Sequence, residues 1–305
     1  MKRFLFVVIS AAAACDGTSD LGSTTDELDS TTDRGQPEPP AAGVQWARGE
    51  APPGGGSPNL IYHGGPVMTT GAHVEAIFWG ASWSDPSFVA DKTSGLQTFY
   101  GGMGGSTYDA TNGEYTDSSG GSVGSTVTFA AAHVDLSAAP RRGNKVSPIL
   151  AEVCSTITNP QSDGYYPVYV DTPRGHARFC AWHSAGTCNG VTVQFAFFFN
   201  LDGDPGCDPQ DTSGQHSQGL AALANVSGHE LSEALTDPHL NAWFDSSGAE
   251  NADKCAWAFG TPLLSFSNGS QWKIQGNWSN NAFDAGTGYP NRSGQIGCID
   301  GGNFL

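Results

Sequence analysis

Positive charge is scarce in this chain. Lysine and arginine number 13 in 305 residues, against 30 aspartates and glutamates, for a formal net charge of -17. Phosphate backbones are gripped by clustered Lys and Arg, so nucleic acid is excluded as a partner. The acidic surplus favours solubility and attraction of cations. Charged residues of both signs are only 14% of the chain, against about 25% in typical domains. Glycine and serine take their place, which predicts long loops. No apolar run reaches the roughly 20 residues of a membrane-spanning helix, so no transmembrane span is expected. No internal repeat is present. Between Asp16 and Val153 there is no cysteine, so covalent staples are confined to the second half.

The first residues read as an export signal. Lys2 and Arg3 precede the apolar run Phe4 to Ile9, which continues into Ala11 to Ala14. A positive segment, a short apolar segment and small residues in that order form a signal peptide over 1–14. Cys15 follows Ala12-Ala13-Ala14 directly. That arrangement is similar to a bacterial lipobox, with Ala12 where leucine is usual. Two outcomes stand: lipid on Cys15, giving a cell-surface lipoprotein, or plain cleavage near Ala14 with Cys15 as a stray thiol. With Cys15 lipidated, six cysteines remain: Cys154, Cys180, Cys188, Cys207, Cys255 and Cys298. An even set in an exported chain reads as a disulfide framework, whose connectivity the sequence leaves open. Residues 15–56 are acidic and Ser/Thr-rich, then Pro/Gly-rich, and read as a disordered tether that buries too little apolar area to order itself. Residues 57–305 read as a single globular domain.

Within that domain, strands are expected at Val74 to Trp79, Thr126 to Val134, Tyr165 to Val170, Ala177 to Trp182 and Val191 to Phe199. The last is a nearly continuous aromatic run, as in a strand covered on both faces. Helices are expected at Phe88 to Tyr100, Pro148 to Ile157 and Gln218 to Leu235. A late hairpin is expected over Leu263 to Gln275, turning at Asn268-Gly269. The predicted fold is a layered α/β domain with a mixed central sheet flanked by helices, loop-rich and disulfide-bearing. An α+β zincin-like arrangement is the alternative.

The chemistry concentrates at His229-Glu230-Leu231-Ser232-Glu233, inside the helix that Asp237-Pro238 ends. His229 and Glu233 lie one turn apart on one face. Zinc-peptidase helices present two ligands in this way, with the intervening Glu as general base. Here Glu233 stands where a second histidine is usual. Carboxylate oxygen is a zinc ligand, but it adds negative charge and favours harder cations. A further ligand is expected from Glu250 or Asp253, with Asp237 and His239 behind them. The competing reading is a buried histidine hydrogen-bonded to a carboxylate, with Glu230 on the surface.

Several islands in order along the chain resemble the plant phosphate-induced (Exordium-like) proteins and their bacterial relatives. Gly228 to Glu233, Thr236-Asp237-Pro238 and Asn241 to Phe244 are similar to that family's HELAE, NP and NAWY run, followed by an acidic-Cys segment, here Glu250 to Cys255. Leu60 to Val67 is similar to its YHxGP opening, and Phe179-Cys180 to its FC element. The resemblance implies a secreted, wall or extracellular-matrix address, and it implies little about reaction. The family keeps cysteines at places similar to Cys255 and Cys298, which flank the late hairpin, so these two are expected to pair.

Two functions follow as expectations. The first is an exported metal-dependent hydrolase, a zincin-type peptidase or a degenerate relative, with zinc on His229 and Glu233, Glu250 or Asp253 completing the site, and Glu230 catalytic. Its substrate would be a peptide or cell-wall material. The second is a non-enzymatic surface or wall-associated module with a structural His/Glu helix. Weaker constellations are a calcium loop at Asn200, Asp202, Asp204, Asp208 and Asp211, a Cys/His nucleophile among His176, Cys180 and His183, and a sugar-stacking surface from Trp243, Trp257, Trp272 and Trp278. Ordinary readings compete with each: a solvated turn, a disulfide and core packing.

Overall fold

Val193 to Phe199 has no polar alternation apart from Gln194, and such a run is stable only where both faces are covered. In the computed structural model, which describes residues 43–52 and 56–305, it forms the buried part of strand β7 near the middle of a six-stranded sheet. The elements in chain order are β1 (Val44–Trp46), β2 (Ile61–Tyr62), β3 (Ala72–Trp79), α1 (Pro86–Val89), α2 (Lys92–Met103), β4 (Val127–Asp135), α3 (Val146–Thr156), β5 (Gly164–Pro173), β6 (Phe179–Cys188), β7 (Val191–Asn200) and α4 (Gln218–Thr236). After them come β8 (Trp243–Phe244), β9 (Leu264–Ser265), β10 (Gln271–Trp272), β11 (Asn277–Trp278), α5 (Asn280–Ala285), β12 (Tyr289–Pro290) and β13 (Ile296–Ile299).

The sheet order is β1-β6-β7-β5-β3-β4. β7, β5, β3 and β4 run parallel, and β6 and β1 add two antiparallel pairings at one end. The fold is therefore mixed α/β, as expected. Parallel neighbours need crossovers, and α1 with α2 supplies the one from β3 to β4, and α3 the one from β4 to β5. Alternation along β6 sends odd and even side chains to opposite faces. A Cβ on Gly186 would meet Leu150 of α3, whereas His183 faces Glu233 of α4. α3 and α4 thus cover opposite faces of the sheet at this end.

α4 starts at Ser217, whose hydroxyl accepts from the Leu220 N–H, a helix cap worth about 1 kcal/mol. It stops at Asp237, whose carboxylate accepts from the N–H groups of Asn241 and Ala242, both at 2.6 Å. Every residue from Gly219 to Thr236 is buried. The leucines of α4 mark one side for the core, and its polar residues would ordinarily mark the other for solvent. Instead the C-terminal region closes over the second side: Asn225 Oδ1 accepts from the Gln275 N–H, and Asn277 Nδ2 donates to Ser232 Oγ. Polar residues on that side of α4 meet polar partners rather than water.

Three disulfides staple the domain: Cys154–Cys188, Cys180–Cys207 and Cys255–Cys298. The expected Cys255–Cys298 pair is among them, and Cys180 is a bridge, not a nucleophile. Two expectations need correction. The helix read over Phe88 to Tyr100 is two, because the cap of Asp85 starts α1 early and Ala90 at φ 46° breaks it before α2. Val44–Trp46, which falls within the segment read as a tether, pairs with β6 as a strand. The segment read as a signal peptide, and Cys15, lie outside the described residues.

Candidate metal centre

α4, β6 and the segment after β8 bring two histidines and four carboxylates together. Helical spacing places His229 Nε2 2.9 Å from Glu233 Oε1. Asp253, from the short turn at Asp253–Cys255, brings Oδ1 to 3.6 Å from the same nitrogen and gives its N–H to Glu233 Oε1 at 3.0 Å. On the other side, His183 Nε2 of β6 lies 3.5 Å from Glu233 Oε2 and 3.0 Å from Glu250 Oε2. Glu230 completes a second group with His183 and Glu233. In each group, His183–Glu230–Glu233 and His229–Glu233–Asp253, donor atoms from all three residues lie within 4.8 Å of one another. These buried His, Glu and Asp groups could hold a metal ion.

Burial is nearly complete. His183, His229, Glu230 and Glu233 are 0% exposed, and only the Asp253 side chain, at 17%, reaches the surface. His229 Nε2, Glu230 Oε2, Glu233 Oε2 and Glu250 Oε1 have no hydrogen-bond partner. Burial pushes the His229 pKa down to about 3 and lowers that of His183, so both rings are neutral. Burial, reinforced by neighbouring carboxylates, raises Glu230, Glu233 and Glu250 well above the usual carboxylate range, and takes Asp253 up to about 7. An unpaired buried carboxylate is costly, so the cluster is held neutral by protons or balanced by cations.

Two further elements finish the site. β1 crosses it: the Gln45 N–H donates to Glu230 Oε1 at 3.3 Å, and a Cβ on Gly43 would sit 2.1 Å from His183 Cδ2. Only glycine allows the backbone to lie on that ring, and its φ of +60° is also one that glycine favours. Gln275 grips His229 from behind. Its Oε1 accepts the Trp257 N–H, and its Nε2 donates to Ala252 O and to His229 Nδ1 at 2.9 Å. A cleft of about 800 Å³ runs beside β1, lined by Trp46, Asp253, Lys254, Trp257 and Arg292 among others. Asp253 belongs to both cleft and cluster.

Of the residues expected to form the site, His229, Glu230, Glu233 and Asp253 do come together. Glu250 is there too, but on His183 rather than on His229. Glu230 is buried, not on the surface. Asp237 caps α4, and His239 is exposed. His183 was legible only as a partner for Cys180, and Gln45 and Gln275 were not legible at all. A lone histidine in the apolar run Phe179 to Ser184 was the available signal for His183. The acidic loop disperses: Asp204 pairs with Arg174 and Asp202 with Lys92, and among the described residues it forms no cluster of metal donors. Trp257, Trp272 and Trp278 are core residues, and Trp243 is half-buried.

No family model, curated protein or solved structure matches the chain.

Proposed function

We propose that this chain is an exported metal-dependent hydrolase of the peptidase type. His229, Glu233 and Asp253 hold a divalent ion, zinc by the imidazole and carboxylate donors, and Glu230 activates the bound water. One observation carries the reading: buried donor atoms without hydrogen-bond partners on His229 and Glu233 of α4 converge with the Asp253 carboxylate. A cation supplies the missing partners and the missing positive charge together. The cleft at Asp253 gives a peptide or wall polymer a place to lie. The motif resemblance to Exordium-like proteins supports a secreted or wall-associated address, with Cys15 as a lipid anchor where the signal is processed as a lipobox.

A second reading, a non-enzymatic module, draws on Gln275. With Gln275 Nε2 donating to His229 Nδ1, a neutral ring carries its proton on Nε2, facing Glu233. Metal binding through Nε2 needs that proton on Nδ1, hence a turned Gln275 amide. Metal analysis of purified protein and of two variants separates the readings. Under the hydrolase reading the parent holds zinc, His229→Ala loses that ion, and Glu230→Gln keeps the ion at His229 but hydrolyses nothing. A His229→Ala protein with unchanged zinc and a lower melting temperature, by roughly 1 to 3 kcal/mol of stability, would establish the structural module instead.

A further inference from the structure

Glu233 is shared. Its Oε1 faces His229 and Asp253, and its Oε2 faces His183. The two donor groups have no other member in common. We infer that the centre holds two divalent cations bridged by Glu233, one among His229, Glu233 Oε1 and Asp253, the other among His183, Glu233 Oε2 and Glu230. This rests on the metal reading above and extends it to a second ion.

Three features support the second position. Glu230 Oε2 and Glu233 Oε2 are fully buried, make no hydrogen bond and belong to one donor group with His183. Glu230 Oε1 is already occupied by the Gln45 N–H, so the free oxygen is the one left for an ion. Charge gives the second. Glu230, Glu233, Glu250 and Asp253 are gathered with Asp237 beside Glu250, and the ion-pair partners of the first four are two imidazoles, His183 and His229, with no lysine or arginine among them. A second divalent ion compensates buried carboxylate charge that a single ion leaves unpaired. Spacing gives the third. Paired catalytic ions lie about 3.5 to 4 Å apart, a separation that one carboxylate bridges by giving one oxygen to each ion. One imidazole and two carboxylates form a harder donor set than a two-histidine site, one that suits manganese and iron as well as zinc. In this arrangement Glu230 would hold the second ion, which would supply the water activation in place of a free carboxylate base.

Equilibrium dialysis of the full chain against zinc, followed by elemental analysis, tests the inference. The parent is expected to bind two zinc ions per chain, and His183→Ala and Glu230→Gln one each. Glu230→Gln is nearly isosteric, so it decides the matter even where His183→Ala does not fold. A parent that saturates at one ion, lost in His229→Ala and kept in His183→Ala, overturns the second position alone. A parent that binds none overturns the metal reading together with it. Manganese loading reads the bridge itself: an exchange-coupled EPR spectrum supports it, and two isolated manganese signals overturn it.

Discussion

A single amide sets the tautomer of the neutral His229 ring. Gln275 cannot turn freely, because the Trp257 N–H fixes its oxygen and Ala252 O fixes its nitrogen. Gln275→Glu replaces the Nε2 donor with an acceptor, which draws the imidazole proton to Nδ1 and frees Nε2 for metal. Carboxylate–histidine–metal chains of this kind change metal affinity by about 10- to 100-fold. The expected outcome is tighter zinc binding by roughly tenfold, measured by competition with a chelator. Stability without metal should fall, because the carboxylate faces Ala252 O. If His229 were only structural, the same substitution would lower stability and leave zinc binding at background.

Among the elements, α4 was readable and β1 was not, and the reasons are physical. Ser217 at the start, Asp237-Pro238 at the end and leucines at helical spacing mark α4 whatever surrounds it. Burial of its second face was not readable, since that depends on residues such as Gln275 and Asn277, far along the chain. β1 is three residues in a Pro- and Gly-rich neighbourhood, and it is a strand only because the edge of β6 offers it hydrogen bonds: Ala47 N–H donates to Arg178 O, and His183 N–H to Gly43 O. Long-range pairing of this sort overrides local composition. The strand tests its own role through Gly43→Ala. Backbone strain at φ +60° and the overlap with His183 should cost about 1 to 3 kcal/mol. On the two-ion proposal, the substitution should also abolish zinc binding at His183 while sparing that at His229. Melting temperature and zinc content of the same sample check both.

Across the whole molecule, buried acid makes stability depend on pH in an uncommon direction. Asp109 is 1% exposed, and burial raises its pKa from 3.8 to about 7. A raised folded value means that the neutral form stabilises. Its contribution is complete below 3.8 and is lost as pH rises through 7. Metal-free protein should therefore melt at lower temperature at pH 8 than at pH 5. Asp109→Asn should recover on the order of 3 kcal/mol at pH 8 and little at pH 4. A melting curve that rises with pH over that range in both proteins would contradict this. The site is also spread along the chain, from Gly43 through His183 and α4 to Gln275, and contacts at such separations form late because loop closure must come first. A chain made from its N-terminus therefore presents β1 long before β6, α4 or Gln275 exists to receive it. The pocket is finished only once the last of these has emerged, so any ion it holds is taken up by the completed chain, from the compartment where folding ends.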